Sequence, residues 1–97
     1  DTETTSQVRN GSLFVKSEYR VVRIDIAEIK YIEGMSEYVR IFVEGEEKPI
    51  VTLMSLHKLE ERLPAQQFMR VHRSYIVNLH KITEISRLSL MVILIFR

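Results

Sequence analysis

Between residues 12 and 52 the apolar side chains recur at every second position, in short runs broken by turn-forming residues. Val22, Ile24 and Ile26 alternate with Arg23 and Asp25, and Val39, Ile41 and Val43 alternate with Tyr38, Arg40 and Phe42. A two-residue period places alternate side chains on opposite faces of a strand, so each run has one face to bury. The chain must therefore build small antiparallel sheets. Leu13-Phe14-Val15 and Tyr19–Ile24 flank Ser17-Glu18 as a hairpin. Asp25-Ile26-Ala27-Glu28 has capping-box spacing and predicts one short helical turn. Strands are expected at 29–33, 38–43 and 50–52, with a loop over Gly34 to Glu37. Pro49 lacks an amide donor, which places the strand after it at an edge.

The period changes only once. Leu53, Leu56, Leu59 and Leu63 recur at helical spacing, with Glu60, Glu61 and Arg62 off the stripe. Thr52 or Ser55 can cap this helix, and Pro64 stops it. Such a leucine stripe is core far more often than a partner-binding ridge. Phe68 to Asn78 reads as a strand leading into a turn or short helical piece, and 82–85 and 88–96 read as the last strands. Residues 1–11 are polar and without period, so they are expected to be a linker, with the domain over 12–97.

Composition excludes several classes of function. The 97 residues contain no cysteine, hence no disulfide framework and no thiolate metal site. His57, His72 and His80 match no ligand spacing, and the glycines at 11, 34 and 45 form no phosphate loop. Ser74 lies in no nucleophile-elbow sequence. No enzyme, cofactor or metal is therefore expected. The apolar run Leu90–Phe96 is far shorter than the roughly 20 residues that span a bilayer. A cytoplasmic protein without a membrane segment is expected.

Positive charge is local. The formal net charge is only +1, yet no Asp or Glu occurs from Pro64 through Thr83, where Arg70, Arg73 and Lys81 fall. An arginine fork matches a phosphate or a guanine edge, and His72, Ser74 and Asn78 add short polar groups beside it. This inventory points to a surface that docks on a nucleic-acid backbone and reads bases.

The order of three blocks gives a resemblance. Phe68-Met-Arg-Val-His-Arg-Ser-Tyr-Ile-Val-Asn78, Ile29-Lys-Tyr-Ile-Glu-Gly34 with Tyr38-Val-Arg40, and Thr52–Pro64 resemble the LytTR DNA-binding family, in its order and spacing. The resemblance implies a mostly β domain with one main helix, built as an elongated stack of small antiparallel sheets. It implies sequence-specific binding of double-stranded DNA by loops entering the major groove, on paired direct repeats, as a homodimer. It also implies the output half of a bacterial two-component response regulator, with a receiver domain on the N-terminal side.

Carried onto this chain, the first reading loop falls on Ser36, Glu37, Tyr38 and Arg40. The second falls on His72, Arg73 and Ser74, with Arg73 the best candidate for a base contact. Arg70 and Lys81, with Arg40 and Lys16, are the candidates for phosphate docking. After Ile85 the sequence departs from the family pattern, and the usual closing strand with its basic contact looks altered or truncated. The apolar tail Leu90–Phe96 is expected to be a core strand that pairs with a neighbouring molecule. The rival reading is a small β interaction module that binds a protein through an exposed sheet edge.

Overall fold

The computed structural model describes residues 6–9 and 11–82. The elements are β1 (Ser6–Arg9), β2 (Ser12–Ser17), β3 (Arg20–Asp25), a 3-10 turn (Ile26–Glu28), β4 (Ile29–Met35), β5 (Tyr38–Val43), β6 (Ile50–Thr52), α1 (Leu56–Arg62), β7 (Phe68–His72), β8 (Tyr75–Asn78) and α2 (Leu79–Ile82). All described strand pairs are antiparallel. They form a three-stranded sheet ordered β1-β2-β3 and a five-stranded sheet ordered β6-β5-β4-β8-β7.

The alternation works as expected. Leu13, Val15 and Ile24 point inward from the smaller sheet, and Ile32, Val39, Ile41 and Ile76 from the larger. These residues share one core with Leu56, Leu59 and Leu63 of the helix segment. The two sheets are also tied by the Thr52 hydroxyl, which donates to the Lys16 carbonyl at 2.6 Å. The expected turn at 25–28 is present, and the Asp25 side chain accepts from the Ala27 amide.

The helix is shorter than its stripe. Ser55 is the cap and accepts from the Lys58 amide, while Leu53 lies outside the helix with 78% of its surface exposed. Thr52 is a β6 residue, and β6 is indeed an edge strand. Four further expectations are corrected. Ser6–Arg9, read above as linker, pairs with β2. Gly34 and Met35, read as loop, extend β4, so the β4–β5 hairpin turns on Ser36 and Glu37 alone. The segment 68–78 is a strand, a two-residue turn and a second strand. Ile82, expected to open a strand, closes α2. The expectations for 83–97 fall outside the described residues.

Candidate nucleic-acid interface

Antiparallel pairing fixes which hairpin tips lie together. β4 pairs with β8 through Tyr31–Val77, Ile32–Ile76 and Glu33–Tyr75, so the end of β4 meets the start of β8. The β4–β5 tip (Ser36, Glu37) and the β7–β8 tip (Arg73, Ser74) therefore stand side by side at one end of the larger sheet. One backbone bond joins them directly, from the Gly34 amide to the Ser74 carbonyl at 2.7 Å. The two loops expected to read DNA are thus one continuous surface.

Each tip has a local cause. Ser36 takes a left-handed conformation, φ 60°, which lets two residues reverse the chain between Met35 and Tyr38. The β7–β8 tip depends on a β-bulge at Val71, where the register moves from Arg70–Ile76 to His72–Tyr75. In a regular strand Arg70 and His72, two residues apart, would share a face. The bulge separates them, as bulges do when they re-aim a side chain. Arg70 turns to the helix side, and His72 turns to the outer face beside Tyr75, with ring centroids 5.8 Å apart.

Arg70 is held inside the protein. Its Nη1 donates to the Glu60 carboxylate at 3.0 Å, its Nε to the His72 carbonyl at 3.0 Å, and its Nη2 to the Arg73 carbonyl. The His72 ring accepts from the Ser74 amide at 3.1 Å. The Arg70 guanidinium therefore fastens the backbone of the tip to α1, and the Arg73 side chain is left exposed at the end of it. No ion pair of Arg73 occurs among the described residues.

On the outer face Arg40, Glu33 and Tyr75 lie abreast in register. The Tyr75 hydroxyl donates to Glu33 at 3.0 Å, and Arg40 lies 3.7 Å from the same carboxylate. Burial, reinforced by the Glu33 hydrogen bond and charge, raises the Tyr75 pKa above its ordinary value. Tyr31, stacked on Phe42 at 4.3 Å, is raised in the same direction by burial and then by Glu33. Both tyrosines stay neutral hydrogen-bonding groups at physiological pH.

Lys81 is not part of this group. β8 runs away from the tips, and α2 follows at its far end, roughly 13 Å along the strand. There Lys81 lies 3.5 Å from Glu44. The sequence brings Lys81 into the basic stretch, but the fold carries it to the opposite end of the sheet. Ser36, Glu37, Tyr38, Arg40, His72, Arg73 and Ser74 do come together. Sequence reasoning missed Glu33, Glu60 and Gly34, which brace the two tips. Glu33 and Gly34 act through pairing register and Glu60 across 10 residues, and nothing local in the chain reports either.

Comparison with known proteins agrees with this arrangement. The model of the LytTr DNA-binding domain matches residues 19–96, a range that includes the tail read above as departing from the pattern. The sensory transduction protein LytT of Bacillus cereus is 37% identical over 82 residues, covering 84% of this chain and 32% of that protein. The heme-containing CO-sensing transcriptional regulator RcoM 2 of Paraburkholderia xenovorans is 36% identical over 69 residues, covering 71% of this chain and 25% of that protein. The solved LytTr DNA-binding domain of a Bacillus cereus response regulator superposes with a TM-score of 0.60 at 25% identity, covering 74% of this chain and 64% of that one. The chain thus spans about a third or less of these curated relatives. With the ordered motifs, the sheet topology and the matched range in agreement, the chain belongs to the LytTR DNA-binding domain family.

Proposed function

We propose that the paired hairpin tips dock on double-stranded DNA and read its sequence, and that the chain is the output module of a bacterial transcription regulator. The observation that carries this is the joining of the two tips by the Gly34–Ser74 bond, with Arg73 exposed and without an ion pair at their end. Arg73 reads a base edge in the major groove, and His72, Ser74 and the Ser36–Tyr38 tip set the register on the backbone. Arg40 is a phosphate contact held in aim by Glu33. Arg70 acts as a positioning residue, because its guanidinium is spent on the tip's own backbone. A homodimer on paired direct repeats extends the same contact to two half-sites.

The relatives' greater length supports a larger protein, in which a receiver domain precedes this one and controls its pairing on DNA in the cytoplasm. Their printed names describe different inputs, sensory transduction for LytT and CO sensing for RcoM 2. An output module that folds around its own core suits exchange of the input part.

Selection of sites from random duplex DNA, followed by mobility shifts, tests the reading. Wild-type protein should enrich a defined repeat. Arg73→Ala should bind it more weakly by about 1–3 kcal/mol and tolerate changes at one base position. Equal affinity of Arg73→Ala for the selected site would remove Arg73 from base reading.

A further inference from the structure

We propose that the β2–β3 hairpin is a third DNA contact, in which Lys16 and Arg20 grip phosphates flanking the site read by the other two tips, with Tyr19 laid against the same backbone. This rests on the DNA-docking reading above and adds to it a segment that the ordered motifs do not include.

The placement follows from topology. Ser12 pairs with Asp25 at the base of this hairpin, and the Ile26 amide bonds to the Gly11 carbonyl there, just before β4 begins. The base of β2–β3 thus adjoins the far end of the larger sheet, and its tip must point the other way. That direction is fixed at the tip as well. The Lys16 carbonyl accepts from Thr52, whose backbone pairs with Val39, one residue beyond Tyr38 of the first reading tip. A groove of about 1220 Å³ is lined on one side by Lys16, Glu18 and Arg20 and on the other by Tyr38 and Leu53. All three hairpins therefore aim at the same side of the molecule.

The chemistry agrees. Arg40, Arg70 and Lys81 each lie within 4 Å of a carboxylate, whereas Lys16, Arg20 and Arg73 form no ion pair among the described residues. Lys16 and Arg20 are exposed, and Tyr19 is fully so at 101%. Glu18, at φ 59°, makes the tight left-handed reversal that lifts Tyr19 clear of the sheet. Exposed acids gather instead at the opposite end, where Asp25, Glu28, Glu44, Glu46 and Glu47 lie on or beside the far turns. A chain of net charge +1 is in this way polarised, with its unpaired cations on the side that faces a polyanion.

The test uses the complete chain and a 40-base-pair duplex carrying a site selected from random DNA. The double variant Lys16→Ala/Arg20→Ala should lose about tenfold in affinity at low salt, with the salt-dependence slope shallower by about two, one unit per phosphate released. Base preference within the site should be unchanged. Tyr19→Ala should weaken binding with no change of slope. Both positions are solvent-exposed, so thermal melting should stay at the wild-type value. If the double variant keeps the wild-type affinity and slope while Arg73→Ala weakens binding, the hairpin is not a contact and the two-tip reading stands. If the wild-type chain selects no site, the docking reading falls and this contact falls with it.

Discussion

Single side chains divide here between touching a ligand and holding the groups that touch it. Arg70 and Arg73 lie three residues apart and are chemically identical, yet their surroundings differ. Arg70 makes three hydrogen bonds within the protein, to Glu60 and to two carbonyls of the tip. A lysine at 70 keeps the charge but not the fork that spans both carbonyls. Arg70→Lys should lower DNA affinity several-fold and stability by about 1 kcal/mol, leaving the salt slope intact. A phosphate-binding Arg70 would give the opposite result, near-normal affinity with lysine in place, so the pair of measurements decides its role. Asn78 plays a comparable part at the far end. Fully buried, it donates to the Ile29 carbonyl at 2.8 Å and accepts from the His80 amide at 3.0 Å. The sequence reading placed Asn78 among the short polar groups beside the basic cluster, and the structure shows it closing the sheet around the start of α2.

At the level of elements, α1 sets the position of the hairpins. Leu56 packs on the Gly34 backbone so closely that a Cβ there would stand 3.1 Å from Leu56 Cδ2. The same strand position donates the bond that joins the two tips. Gly34→Ala should destabilise the protein by about 1–3 kcal/mol through overpacking alone, since this glycine does not use a left-handed φ. Denaturant melts of the single variants and of Gly34→Ala/Leu56→Ala should show coupling, with the double variant more stable than the sum of the two losses. Additive losses would mean that the helix does not press on β4 at this point. Helix shortening has a related cause. The leucine period begins at Leu53, but β6 holds the backbone through Thr52 and Ser55 supplies the cap, so the first leucine of the stripe is left in solvent.

Across the whole molecule, the separation of charge follows from hairpin direction. Strand ends alternate between the tip side and the far side, and the basic and acidic turns fall on different sides. Lys81 tests this separation. It belongs by sequence to the acid-free stretch and by structure to the far end beside Glu44. Lys81→Ala should leave both the affinity for the selected duplex and its salt slope unchanged, whereas a loss of about one unit of slope would place DNA at that end too. Among the described residues, no helix is long and apolar enough to cross a membrane.

The chain's local periods settled most of its elements. Alternation at 22–26 and 38–43 made strands because each had one apolar face, and the leucine spacing with Ser55 and Pro64 made one helix. Ordered motifs placed the two reading loops and named Arg73 within them. These features are local, so they survive in a linear reading. Pairing register does not. Only the tertiary structure decided that the two tips share one surface, that a bulge at Val71 sends Arg70 inward and His72 outward, and that Lys81 leaves the group. Only it aligned the β2–β3 hairpin with the other two, because strand direction depends on which partners a strand finds across the core.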